Sequence, residues 1–172
     1  QTGKDVTSAF DFIQIPGTQK FLYTVNDSTD DDTQLFYNNS GTPEEITAAE
    51  TAWVNFANIN VEMESFIGYC IFVGHGSVDG FLPVGSLTGT TFSTSTNVTD
   101  MPQAKFIKRY RDTLYVLNAR TGGVNYPFRG YKSSVPSAGA ITWTPASDFI
   151  EVGYSEEITG AGVNWDLLII FT

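Results

Sequence analysis

Gly68-Tyr69-Cys70-Ile71-Phe72-Val73-Gly74 is the stretch on which the fold turns. An unbroken apolar run this short, closed by glycine at both ends, reads as a strand covered on both faces. Three further stretches follow the same pattern of a turn residue and an aliphatic–aromatic strand. They are Lys20-Phe21-Leu22-Tyr23-Thr24-Val25-Asn26, Asp112-Thr113-Leu114-Tyr115-Val116-Leu117-Asn118 and Asp166-Leu167-Leu168-Ile169-Ile170-Phe171-Thr172. With Leu22, Cys70, Leu114 and Leu168 taken as equivalent, the spacings are 48, 44 and 54 residues.

Second strands are expected at Gln34-Leu35-Phe36-Tyr37, Phe81-Leu82-Pro83-Val84 and Tyr126–Tyr131. Third strands are expected around Glu45-Ile46-Thr47, Thr91-Phe92-Ser93 and Ile141-Thr142-Trp143. A period near 45 residues with three or four strands per unit is that of β-propeller blades. The reading is therefore one all-β region over residues 1–172, in antiparallel repeats of about 45–50 residues: 10–55, 56–103, 104–156 and an incomplete 157–172. About three blades and a strand cannot close a ring of ~4–8 blades, so a fragment of a larger propeller is expected. A β-sandwich is the alternative. Thr42–Thr51 is the one helix-tolerant stretch, its Thr42 cap, Pro43 and early acids suiting the start of one short helix.

The composition agrees. Of 172 residues 41% are hydrophobic, 16% charged and 14% aromatic, with 16 glycines, which is globular and favours strands and turns. No stretch has the ~18 apolar residues of a membrane-crossing helix. The single cysteine, Cys70, excludes an internal disulfide and reads as a buried, inert thiol. Charge is uneven: residues 1–100 hold two lysines against thirteen acids, net −11, and residues 101–172 hold seven bases against six acids, net +1. So acidic a first half disfavours sequence-independent nucleic-acid binding.

No set of catalytic, cofactor-binding or metal-ligating residues emerges, and no enzyme activity is expected. His75, the only histidine, lies in Gly74-His75-Gly76-Ser77-Val78-Asp79-Gly80, which reads as a hairpin turn. Asp79 stands where a G-x-G-x-x-G phosphate loop needs glycine. Asp27-Ser28-Thr29-Asp30-Asp31-Asp32 offers hard oxygens to Ca²⁺ but lacks the glycine and closing glutamate of an EF-hand loop, and reads as an acidic hairpin tip in water. Lys105, Lys108, Arg109 and Arg111 are expected to meet an acidic face of the same or an adjacent subunit. Trp53, Trp143 and Trp165 read as packing residues, though sugar stacking is the competing use. Ser134–Trp143 has the outline of the S-x-D-x-G-x-T-W turn of sialidase propellers, with Ser137 in place of the aspartate.

One ordered series of segments resembles a known group. Ala104-Lys105-Phe106-Ile107, Tyr110–Val116, Tyr131–Pro136, Gly139–Trp143, Glu157-Ile158-Thr159-Gly160 and Leu167–Phe171 follow one another as in the propeller modules of phage virion proteins: tail nozzles, tail-tube-associated proteins and head–tail stabilisation proteins. Phe66–Val73 resembles the preceding blade, and the likeness runs over residues 56–172. Asp112-Thr113-Leu114 departs from it, because such modules often carry a base there. The resemblance implies a structural role in a phage tail or neck, as a homo-oligomeric ring around the DNA passage contacting other virion subunits. It also implies no cofactor, no membrane span and no specific nucleic-acid binding, with the acids lining the passage. The functional alternative is a carbohydrate-binding or glycan-cleaving propeller.

Overall fold

The computed structural model describes residues 4–14, 18–27, 32–76, 80–153 and 156–172. Among the described residues the chain is all-β apart from one short helix, built of four antiparallel sheets that follow one another in sequence without closing a barrel. Sheet 1 is the meander β1 (Lys4–Gln14), β2 (Thr18–Asp27), β3 (Asp32–Asn39) and β4 (Thr42–Glu45), followed by α1 (Thr47–Ala52). Sheet 2 has β5 (Asn60–Phe66), β6 (Tyr69–Gly76), β7 (Gly80–Phe81), β8 (Gly85–Thr88) and β9 (Thr91–Ser93), in the order β5-β6-β8-β9, with β7 also on β6. Sheet 3 is β10 (Gln103–Tyr110), β11 (Thr113–Thr121), β12 (Val124–Lys132) and β13 (Phe149–Glu151), and sheet 4 the hairpin β14 (Gly160–Asn164) and β15 (Leu167–Phe171).

The four repeated apolar stretches thus fall in β2, β6, β11 and β15, the second strand of each sheet. The first strands β1, β5, β10 and β14 come within 8 Å of one another in succession, β1 beside β5, β5 beside β10 and β10 beside β14. Innermost strands side by side, with meanders running outward, is how propeller blades are set. A sandwich has one core between two sheets. Here two cores lie in series, with sheet 2 buried on both faces.

Strand alternation puts those cores where they are. Cys70 and Phe72 of β6 join Leu87 of β8, Met63 of β5 and, from sheet 1, Phe12, Leu22 and Leu35. Ile71 and Val73, one residue on, join Ala104, Ile107, Leu114, Val116 and Tyr131 of sheet 3. Trp53, fully buried at the end of α1, meets Phe72 and Phe92 edge-on at 5.7 and 5.2 Å and donates its indole N–H to Pro83 O at 3.0 Å. Leu22 and Cys70 share one core although they come from facing sheets, so the equivalence read from sequence is one residue out in the first unit. A period of two makes such a slip exchange the faces.

Other boundaries also differ from expectation. Thr42–Glu45 is not a helix start but an edge strand on β3, with Pro43 opposite Asn38, where a missing N–H costs no ladder bond. The helix starts at Thr47, after Ile46 and without a side-chain cap. Sheet 1 begins at Lys4, ahead of residue 10, and sheet 4 has two strands, not one. Phe81–Val84 is largely loop, and β8 takes the main pairing with Cys70–Phe72. Ile141–Trp143 belongs to a side hairpin bridged Ser133 to Trp143, and the outer strand of sheet 3 is β13.

Adjacent residues of β2 test the facing. Leu22→Ala, at 0% exposure, should lower unfolding free energy by about 2–5 kcal/mol. Phe21→Ala, at 48% exposure, should cost less than about 1 kcal/mol. Urea unfolding of the two variants measures this, and equal losses would contradict the assignment of faces.

Candidate functional site

Three features could carry function: the charged ties between first strands, the two end faces of the stack, and the residues singled out for chemistry. Across the sheet 2–sheet 3 junction Lys108 Nζ meets Glu62 Oε2 at 2.7 Å, and Glu64 accepts the Arg109 backbone N–H at 3.1 Å. The Arg109 guanidinium lies 5.6 Å from the Phe66 ring centre. Towards sheet 4, Lys105 pairs with Glu157 at 2.5 Å, and Arg111 grips Asp166 through two bonds of 3.0 and 2.8 Å. Between sheets 1 and 2 the tie is Ser8 Oγ donating to Val61 O at 2.6 Å. The basic cluster therefore meets acids on both neighbouring sheets of its own chain.

These exposed and partly exposed pairs are screened by water and each contributes little, so they select how sheets sit rather than hold them together. By sequence the four first strands carry Asp5, Asp11, Glu62 and Glu64 against Lys4, Lys105, Lys108 and Arg109. One further tie is buried. Asn118 interrupts β11 in a left-handed conformation at φ 53°, where the β11–β12 register shifts. Its side-chain amide donates to Ile158 O at 2.9 Å and to Glu157 Oε1 at 2.8 Å.

The end faces are apolar and open. On sheet 4, Leu168 and Ile170 are half-buried, whereas Leu167, Ile169 and Phe171 on the other face are 65%, 37% and 53% exposed. Opposite Ile169 and Phe171 in β14 stand Gly162 and Gly160, and opposite Leu167 stands Asn164, so β14 adds one polar side chain to that face. On sheet 1 the face turned away from sheet 2 shows Ile13 and Phe21, 58% and 48% exposed, beside a stacked Tyr23–Phe36 pair with ring centres 5.5 Å apart. Among the described residues β15 pairs with β14 alone.

The residues weighed for chemistry are dispersed. Cys70 is fully buried, and burial pushes its thiol pKa well up, which keeps it protonated and unreactive. His75 is in strand β6 opposite Asn60, not in a turn, with its ring edge-on to Phe81 at 4.7 Å. Ser77 and Asp79 lie outside the described residues, as do Ser28–Asp31 of the acidic loop. Asp32 does not face water: it is buried and accepts the Asn55 N–H at 2.7 Å. Among the described residues no three His, Cys, Asp or Glu side chains are grouped to hold a metal, and no helix is long and apolar enough to cross a membrane.

Trp53 and Trp143 are buried and Trp165 is 97% exposed at the sheet 4 turn. Ser134–Trp143 forms a small hairpin with Ser137 and Ala140 bonded reciprocally and Ala138 and Gly139 both at positive φ, as a type I′ turn requires. The end faces and the Asn118 tie were not visible in sequence. The glycine alternation of β14 opposite β15 is the one signal that could have pointed to the open face.

Comparison with protein families, curated proteins and solved structures finds no match to this chain. What the geometry defines is a class: an all-β stack of successive antiparallel sheets with apolar layers between them.

The lone histidine gives this stack a pH signature. Burial, then the Lys105 ammonium, lowers the His75 pKa below 6.5, against a smaller opposite pull from Glu157. Folding disfavours the imidazolium, so His75 costs nothing well above pH 6.5 and destabilises progressively as pH falls below it. Denaturation midpoints recorded from pH 7 to pH 5 should drop more steeply in the native protein than in His75→Gln. Parallel curves would remove His75 from the account.

Proposed function

We propose that this chain is a structural module of a bacteriophage virion, in the tail or neck, that works by packing its sheets against those of adjoining subunits. The observation carrying this reading is the contrast between inner and outer sheet faces. Inside the stack, apolar layers are covered by a neighbouring sheet; at its two ends, the faces bearing Ile13 and Phe21, beside the polar pair Asp11 and Gln19, and Leu167, Ile169 and Phe171 have no covering sheet among the described residues. Contiguous exposed apolar faces mark association surfaces. The ordered series from Ala104 to Phe171 that resembles phage propeller modules supports placing that association in a tail or neck ring. The role is architectural, with no reaction to catalyse, and the DNA passage would be formed by the ring as a whole rather than by an acidic lining of this chain.

Because the two end faces differ, they favour a head-to-tail contact, which closes into a ring or runs on as a filament. Sedimentation velocity and mass photometry of native material test this. Assemblies larger than one chain are expected, falling back towards single chains in Phe171→Glu. A protein that stays a single chain at micromolar to millimolar concentration, with or without the substitution, would overturn the proposal.

A further inference from the structure

The β11–β12 turn end of sheet 3 carries a two-part trough. Its first part is a cleft of about 560 Å³ lined by Asp100, Met101, Pro102, Arg120 and Trp143 among others. Its second part, about 300 Å³, lies between Tyr126, Arg129 and Phe149. Thr121, Gly122, Pro145 and Ala146 line both, so the two adjoin.

The walls are fixed in place. Asn97 ties one to the other, accepting the Ile141 N–H on its side-chain oxygen at 3.1 Å and the Trp143 indole N–H on its carbonyl at 3.2 Å. Turns closed by Met101 N–H to Val98 O at 3.1 Å and Asp148 N–H to Thr144 O at 2.9 Å stiffen the two loops. A preformed cleft of this size is what small-ligand sites require.

The polar groups of the trough are unevenly satisfied. Arg129, in the second part, reaches the Glu151 carboxylate. Arg120 is exposed and reaches none among the described residues, and Asp100, held at φ 60°, has no cationic partner there either. Both line the first cleft without pairing with each other. In the second part the Arg129 guanidinium is clamped 4.3 Å from both the Tyr126 and Phe149 ring centres and bonded to Glu151. The buried Tyr131 hydroxyl sits beside Arg129 and helps raise its pKa, yet no atom meets it with hydrogen-bond geometry.

We propose that this trough binds an acidic oligosaccharide, with a sugar carboxylate on Arg120 and ring hydroxyls donating to Asp100. An unpaired cation and an unpaired anion in one cleft call for a ligand that offers both an anion and hydrogen-bond donors. The guanidinium fork matches a carboxylate in two parallel bonds. Met101, Pro102 and Trp143 form the buried floor of the cleft, and the accessible apolar lining on which the C–H face of a pyranose packs is Pro145 and Ala146. A nucleic-acid strand carries a phosphate at every nucleotide, and a cleft whose one carboxylate-free guanidinium among the described residues is Arg120 offers it a single such contact.

Matched saccharides separate this from alternatives. ¹⁵N-resolved NMR titrations of the whole chain with 3′-sialyllactose, lactose, oligogalacturonate and a C-terminally free tetrapeptide give the readout. The acidic saccharides should shift the amides of Asp100, Arg120 and Gly122, and lactose and the peptide should bind at least tenfold more weakly. Arg120→Gln and Asp100→Asn should each weaken saccharide binding by about tenfold or more, the usual effect of losing a hydrogen bond to a charged group. Both residues are exposed, and the same spectra report that the variants are folded. No binding of acidic saccharides at millimolar concentration, equal binding of lactose, tighter binding of the peptide, or binding that survives both substitutions would overturn the proposal. None of these outcomes bears on assembly, which is read by mass.

Discussion

Between Cys70 and Val73 the strand β6 sends alternate side chains into two separate apolar layers, and both layers have to be covered. A helix offers one stripe and cannot cover a pleated face of several strands, whereas another sheet can. Sheet 1 covers Cys70 and Phe72, and sheet 3 covers Ile71 and Val73. Each fully buried aliphatic or aromatic side chain contributes about 1.5–3 kcal/mol, against roughly 0–1 for an exposed ion pair. The apolar layers therefore decide that the sheets stack, and the weaker pairs from Glu62 to Asp166 decide how far each slides on the next. Trp53 shows the same priority: it fills the space where α1 leaves sheet 1, and its indole N–H finds Pro83 O without a charged partner.

The all-β class and the strands β2, β6, β11 and β15 were legible because all four read as continuous apolar runs, although the sequence pattern places them first in each unit and β2 and β15 each keep one face open. The first strands were harder to see. Asn60–Phe66 and Gln103–Tyr110 spend alternate positions on Glu62, Glu64, Lys105 and Lys108, whose reason is a partner on another sheet some 45 residues away. Such pairing leaves no local mark. The one-residue error at Leu22 has a similar cause: Lys20–Asn26 is apolar on both faces, so the pattern does not say which face turns inward. Thr42-Pro43 satisfied the local rules for a helix start, but pairing with β3 overrode them and moved the helix to Thr47.

Of the residues weighed for chemistry, the basic cluster was read correctly as seeking acids, although its net charge said nothing about which ones. The trough at the end of sheet 3 left no trace in sequence. Asp100 and Arg120 are twenty positions apart, and a turn, a bulged strand and a side hairpin bring them to one cleft. Arg120 owes its orientation to the irregularity at Asn118. Ahead of that bulge Leu114 and Val116 face sheet 2, and after it Ala119 does, so Arg120 turns to the opposite side.

Asn118 also bears on how the chain comes apart. A two-stranded hairpin such as sheet 4 is marginal alone in water. Yet the Asn118 amide, 2% exposed, finds its acceptors only on Glu157 and Ile158, the residues that lead into that hairpin. If the hairpin lifted away, a buried amide would be left without acceptors, at a cost of about 1–3 kcal/mol. Opening of the β14–β15 hairpin is thereby coupled to sheet 3, and the hairpin melts with the body of the stack as part of one cooperative unit.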